Sequence, residues 1–289
     1  MESASVTAFC PGHISGYFLP VIHENLDKSG SIGGGLVLSE GVRVVARQNP
    51  ISSVKIFKSD KTGLPEQIGD TSPVIMDLLK KMAVHAAIET TCYLPIGSGY
   101  GMSAAALLGT AHAVNSLYNL GLSSHDCIKI AHQVEVMHRT GLGDVSACQG
   151  GGAVIRKTPG PDGEIRRLMD LRPIYAITLG PIKTSSILTS PSWMDKISKA
   201  FPDYIPETVD ELFLASREFA EKSGLISEEV RTVLKVCDNN RVLASMTMLG
   251  CGVFAIGKTA EAILNMFGEV YRLTLSPGGP RILHGDRCS

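Results

Sequence analysis

Pro95-Ile96-Gly97-Ser98-Gly99-Tyr100-Gly101-Met102-Ser103-Ala104-Ala105-Ala106 places three alternating glycines before a serine and a run of alanines. Glycine lets the backbone turn tightly and lets a ligand come close to its N–H groups. Alanine is the strongest helix former. The stretch therefore reads as a glycine loop feeding a helix from Ser103 to about Leu117, with Gly121 beyond its end as a stop. Unpaired N–H groups and the helix dipole both attract negative charge at such a junction. Phosphate is the anion the arrangement suits best, so the loop points to a nucleotide.

Outward from the loop the chain mixes strands and helices. On the N-terminal side, Val42 to Arg47 and Ser53 to Phe57 are β-branched enough to read as strands. Ser72-Pro73 has the form of an N-cap with proline at the first helical position, opening a helix to about Glu89. On the C-terminal side, Ser124 to His138 reads as a helix with Cys127, Ile130, Ala131, Val134 and Met137 on its buried face. Gly150-Gly151-Gly152 leads into a short strand, Ala153 to Arg156, and Lys157 to Glu164 is turn chemistry, a hairpin tip or a boundary. Beyond it come a strand at Tyr175 to Leu179, helices between Trp193 and Cys237 and a strand at Gly252 to Ile256. A helix from about Thr259 and a strand near Val270 to Leu275 follow. That order suggests a split βαβ sandwich in the second half.

The helix after Ser124 carries a second stripe, Ile128, His132, Glu135 and Arg139, on one face. Just past it, Asp144 sits in Thr140-Gly141-Leu142-Gly143-Asp144-Val145, among small residues where a carboxylate can meet a ligand closely. Phosphoryl transfer needs anion donors, a magnesium ligand or two, and a group that orients the acceptor hydroxyl. The glycine loop supplies donors, Ser103 an oxygen at the helix start, Glu135 a hard oxygen ligand for Mg²⁺, and Asp144 an acceptor for the hydroxyl proton. Each has a plainer reading. Glu135 and Arg139 have the spacing of an exposed ion pair, Asp144 that of a turn cap, and His132 alone that of a buried structural histidine.

Composition narrows the classes. The 289 residues are 44% hydrophobic and 19% charged with a formal net charge of -1, so no basic face is indicated and nucleic acid is not an expected partner. The seven cysteines contain no C-x-x-C pair, which fits a reducing, cytoplasmic setting rather than a disulfide framework or zinc site. No apolar run has the length of a membrane span and no signal pattern opens the chain, so no membrane partner is expected. The reading is compatible with a homodimer.

The loop from Pro95 to Ala106 resembles the second motif of the GHMP kinases (galactokinase, homoserine, mevalonate and phosphomevalonate kinases). The order of glycine loop, helical Glu135 and glycine-flanked Asp144 is also theirs. Met248-Leu249-Gly250-Cys251-Gly252-Val253-Phe254 resembles their third motif, and Pro11-Gly12-His13-Ile14 sits where their first belongs, with His13 at a position where many members carry lysine. Pro11 to Phe18 together with Ser29-Gly30-Ser31-Ile32-Gly33-Gly34-Gly35 resembles the archaeal pantoate kinases more narrowly. The resemblance implies an α+β fold: an S5 domain 2-like mixed α/β domain over residues 1–165 that binds ATP, then a ferredoxin-like α/β sandwich over residues 166–289. It implies transfer of the ATP γ-phosphate to the 4-hydroxyl of (R)-pantoate with Mg²⁺, a step of the archaeal route to coenzyme A. It assigns ATP to Pro95, Gly97, Ser98, Gly99, Gly101, Met102, Ser103 and Ala104, and Mg²⁺ to Ser103 and Glu135. It makes Asp144 the catalytic carboxylate and gives the acceptor to Ser31, His132, Arg156, Thr184 and His13. A planar guanidinium matches a carboxylate, so Arg156 at a strand end suits a small acid. Another small-alcohol kinase, of the homoserine or mevalonate type, would use the same fold and metal site. A dinucleotide loop is disfavoured, because no acidic residue stands in Leu117 to Leu122. A regulator that binds nucleotide without catalysis has no use for both Glu135 and Asp144.

Overall fold

The computed structural model describes residues 4–59, 63–180 and 191–285. Two long strands, β1 (Ser5–Val21) and β2 (Gly30–Gln48), pair antiparallel along nearly their whole length and form the spine of the molecule. Strands β3 (Ser53–Ser59), β4 (Pro65–Gly69) and β5 (Ala86–Cys92) extend the sheet on one side. The hairpin of β6 (Ala153–Arg156) and β7 (Ile165–Leu168) joins through β2. The last strand, β12 (Arg281–Gly285), returns to pair with β1. The main path runs β12-β1-β2-β5-β3-β4, with β3 and β5 parallel.

The smaller sheet contains β8 (Ile174–Gly180), β9 (Ala244–Met246), β10 (Cys251–Ile256) and β11 (Val270–Leu273) in the order β11-β8-β10-β9, all antiparallel. Numbered within itself the order is 4-1-3-2, the ferredoxin-like arrangement of a split βαβ unit. Between β8 and β9 run helices that we number α5 (Pro191–Ala200), α6 (Val209–Ser223) and α7 (Glu228–Asn239), and α8 (Lys258–Leu264) follows β10. One apolar core serves both sheets. Phe18 of β1 meets Phe219 of α6 at 5.7 Å between ring centres, and the Thr178 hydroxyl of β8 donates to the Tyr100 hydroxyl at 3.2 Å. Among the described residues no helix is long and apolar enough to cross a membrane, and no cysteine is paired.

Four helices lie on the large sheet. Ser72 caps α1 (Pro73–Lys81) by accepting from the Ile75 N–H. The helix ends at Lys81 rather than near Glu89, because Ala83 turns into the left-handed region (φ 56) and 86–92 continue as β5. The alternating burial of Ala86, Ile88, Thr90 and Cys92 is the period-2 pattern of a strand. Helix α2 (Met102–Tyr118) is buried on almost every side, which its alanines permit. Helix α3 (Ser124–His138) begins with a capping box in which the Ser123 hydroxyl and the Asp126 carboxylate satisfy each other's backbone N–H. Met137 does not join the buried face but is 54% exposed, one residue before the end of α3. The short α4 (Asp144–Cys148) follows directly.

Candidate active site

Ile96, Gly97, residues 99–104 and residues 138–144 line one cleft of about 390 Å³, together with Ser15, Phe18, Ser31, Met248 and Leu249. Gly101 makes the junction possible. Its φ of 64 turns the loop into α2, and a Cβ there would press on the backbone of His13, 3.1 Å from its carbonyl oxygen. No side chain caps α2, so the first N–H groups of a 17-residue helix face the cleft end of the loop unpaired by any cap. Ser103 stands exposed there. The resembling third motif lies against this loop. A Cβ on Gly250 would sit 2.2 Å from the Ser98 carbonyl, and one on Gly99 2.9 Å from that of Met248. The Met248 N–H donates to the Ser15 carbonyl at 3.0 Å, tying the same turn to β1.

The N-terminus of α4 presents Asp144. The His13 Nδ1–H donates to its Oδ1 at 2.7 Å, with the imidazole fully buried behind the carboxylate. His13 therefore backs Asp144 and does not line the cleft itself. Burial pushes the Asp144 carboxyl up. The His13 hydrogen bond, the His13 and Arg156 charges and the Ser15 hydroxyl together outweigh it and hold the carboxyl below its ordinary range. Glu135 is fully buried one helical turn before the end of α3 and accepts from the Val145 N–H at 3.3 Å. Burial raises its carboxyl well above the usual range, and the neighbouring Asp144 charge adds to the rise. The exposed pairing of Glu135 with Arg139 that the spacing allowed is absent among the described residues: Arg139 caps α3 in the left-handed region, exposed at the cleft, while Glu135 is buried.

Both carboxylates converge on the bare face of Gly141. A Cβ there would lie 2.7 Å from Glu135 Oε1 and 2.9 Å from Asp144 Oδ2. Gly143 does the same for the next pair, since its Cβ would meet Ser31 Oγ at 2.4 Å and Arg156 Nε at 2.9 Å. Arg156, 2% exposed at the end of β6, donates from Nε to the Ser31 carbonyl and from Nη2 to the Ser31 hydroxyl, both at 3.4 Å. Its Nη1 is buried and has no partner among the described residues. An unsatisfied guanidinium nitrogen beside an open cleft is a place for an anion. Across Gly143, residues more than a hundred positions apart thus meet.

His132 is also buried, but its Nε2–H donates to backbone, at 3.0 Å to the Ser29 carbonyl and 3.2 Å to that of Leu26. It fixes the turn that delivers Ser31, and its Nδ1 lies 3.8 Å from Glu135 Oε2. Thr184 lies outside the described residues. Ser15, Phe18, Arg139 and Leu142 line the cleft without a role having been read for them. Ser15 and Phe18 stand three apart on β1, and the register shift between Ser15 and Tyr17, which residue spacing does not reveal, brings both to the cleft.

Burial lowers the imidazoles of His13, His112 and His132. The unfolded chain takes up their protons near 6.5, the ordinary value, while the folded chain resists. Stability is therefore full above that pH and falls as pH drops below it, by roughly 1.4 kcal/mol per pH unit for each proton. Glu135 has the opposite sign, because the folded chain keeps its proton above 4.5 where the unfolded chain does not, and it opposes the three histidines. Scanning calorimetry without divalent cations should show Tm falling between pH 7.5 and 5.5. A flat or rising Tm would contradict this assignment.

A family model described as the GHMP kinases N terminal domain matches residues 72–152. A pantoate kinase of Methanospirillum hungatei is 65% identical over 289 residues, the whole of both chains. A pantoate kinase of Methanocaldococcus jannaschii is 34% identical over 261 residues, 86% of this chain and 92% of that one. Among solved structures, a phosphotransferase related to the CoA biosynthesis pathway superposes with a TM-score of 0.77 at 26% identity, covering 96% of this chain and 98% of its own. A homoserine kinase from Cytophaga hutchinsonii, 18% identical, shares the fold with a TM-score of 0.61 over 98% of each chain.

Proposed function

This chain belongs to the pantoate kinase family, within the GHMP kinases, and from that premise we propose that it transfers the γ-phosphoryl group of ATP to the 4-hydroxyl of (R)-pantoate, giving (R)-4-phosphopantoate for coenzyme A synthesis. The observation that carries the acceptor is the buried Arg156. Its free Nη1 and its contact with Ser31 suit a small carboxylate, and across Gly143 stands Asp144.

In this reading the N–H groups of residues 97–104 bind the triphosphate at the head of α2. An apolar slot of about 120 Å³ beside Ser103, walled by Ile56, Ile75, Cys92 and Met102, suits a flat base. The Glu135 carboxylate, with the exposed Ser103 hydroxyl at the head of α2, fits Mg²⁺, which keeps several waters and needs only one or two carboxylates. Ser103 and Glu135 would hold the ion, which when bound neutralises phosphate charge. Arg156 and Ser31 anchor the acceptor carboxylate and aim its far hydroxyl at the phosphate. Asp144, kept ionised by His13, orients that hydroxyl and takes its proton as the oxygen attacks phosphorus and the bond to ADP breaks. Placing charges before reaction is the main source of rate in such sites.

An assay of ADP release with (R)-pantoate, pantothenate, mevalonate and homoserine side by side tests the acceptor. Turnover with (R)-pantoate at least about tenfold above each of the others is expected; all four carry a carboxylate for Arg156, so discrimination rests on how the groups between carboxylate and hydroxyl fit and on whether the hydroxyl reaches Asp144. Preference for homoserine or mevalonate would move the chain's activity to another branch of the GHMP kinases.

A further inference from the structure

Arg139 is not used by the mechanism above, yet it lines the same cleft as Ser103, the glycine loop and Asp144. The basic residues of that lining are Arg139 and His138, and His138 is engaged, its Nε2 lying 2.8 Å from Asp77 Oδ2. Arg156, deeper, is held by Ser31. Among the described residues Arg139 makes no side-chain hydrogen bond or ion pair, and its side chain is exposed.

The backbone at Arg139 is also unusual. It ends α3 with a φ of 52, the left-handed cap that helices most often give to glycine. Of the five non-glycine residues with positive φ among the described residues, two, Arg139 and Leu249, line this cleft. Strain kept at Arg139, whose side chain has no partner among the described residues, points to use of that side chain. Electrostatics supply the use. Two carboxylates, Glu135 and Asp144, converge where an anionic phosphoryl group must arrive. An unengaged guanidinium at the rim is the group able to offset the charge that spreads over the phosphoryl oxygens during transfer.

We propose that Arg139 is a further catalytic residue, which reaches the γ-phosphoryl group of the bound nucleotide and stabilises it in transit. No bond to Arg139 forms or breaks; it contributes charge and two parallel N–H donors. The inference rests on the reading that this cleft binds ATP, and it is independent of which acceptor is used.

The test compares the parent with Arg139→Gly and Arg139→Lys by three measurements: Tm, kcat with (R)-pantoate, and calorimetric Kd for ADP and for a non-hydrolysable ATP analogue, both with Mg²⁺. Glycine suits the left-handed cap, so Arg139→Gly should raise Tm by about 1–3 °C. The same variant should lose about 10²-fold or more in kcat and about tenfold in affinity for the ATP analogue, with ADP affinity changed by less than about threefold. Arg139→Lys should recover part of both losses. A purely structural cap predicts the opposite, a glycine variant as active as the parent with both nucleotides bound as before, and that result would overturn the proposal. Because the nucleotide measurements need no acceptor, a parent that binds nucleotide but ignores pantoate overturns the acceptor assignment while the ratio of the two affinities still decides Arg139. A parent that binds neither nucleotide overturns both.

Discussion

Asp144→Asn is expected to bind ATP as the parent does and to phosphorylate (R)-pantoate roughly 10²–10⁴-fold more slowly, the range lost when a positioned general base is removed. Asparagine keeps the shape of the side chain and an oxygen that accepts from the His13 Nδ1–H, which now lies 2.7 Å from the carboxylate. The geometry at the head of α4 should therefore survive, and only the capacity to take the hydroxyl proton is lost. The loss belongs in kcat, with the KM for ATP within about threefold of the parent, because an interaction made only in the transition state does not support ground-state binding. Steady-state kinetics with ATP and pantoate each varied separate the two. Turnover near that of the parent would place the proton acceptor elsewhere.

Arg156→Met is expected to raise the KM for pantoate by about 10²-fold while leaving the KM for ATP nearly unchanged, as the loss of a charge-assisted contact of roughly 3 kcal/mol would do. Methionine fills much of the volume of a side chain that is only 2% exposed, so packing on Ser31 and Gly143 is partly kept. A second consequence is specific to the position. The Arg156 charge helps hold the Asp144 carboxyl below its ordinary range. Without it the carboxyl rises, and the acid limb of the kcat profile should move to higher pH. Arg156→Lys should keep the acid limb and lose the two-pronged contact, so its defect should remain in the KM for pantoate. An unchanged KM for pantoate in Arg156→Met would remove Arg156 from the acceptor site.

Much of the local structure was legible where one signal dominated. Ser123 and Asp126 form the capping box that starts α3, and the expected span, Ser124 to His138, is the one observed. The strand Ala153–Arg156 and the hairpin turn after it also lie where β-branched residues and then Lys157 to Glu164 put them. The spine of the fold was not legible. Strand β1 and the first half of β2 contain proline and a run of glycines, residue types depleted in strands, so no strand was expected there. Those glycines are instead sites of close approach: a Cβ on Gly35 would sit 2.3 Å from His13 Nε2, so the strand is small there because its partner fills the space. The tail of α1 was misread because alanines and a glutamate favour helix locally, and the sheet overrode that preference at 86–92.

The chemistry-bearing residues followed the same division. Glu135 and Asp144 stand close in sequence, and their types and spacing were enough to single them out. Their burial was not legible, nor was the convergence on Gly141 that places two carboxylates together. His13 and His132 were read as acceptor contacts, but their imidazoles are wholly buried, one on Asp144 and the other on the carbonyls of Leu26 and Ser29. Partners that are backbone atoms leave no trace in residue spacing. Arg139 was set on a helical stripe with Glu135, whereas α3 stops one residue earlier and turns it toward the cleft.

The central claim is that a phosphoryl group goes from ATP to the 4-hydroxyl of a small acid anchored by Arg156. Phosphorus–proton correlation NMR of the product formed from (R)-pantoate and ATP reads that bond directly. The account predicts coupling of the new phosphorus signal to the C4 methylene protons, with ADP formed in equal amount. Coupling to the C2 proton, or a phosphorus signal of an acyl phosphate on the carboxylate that Arg156 is held to shield, would contradict it.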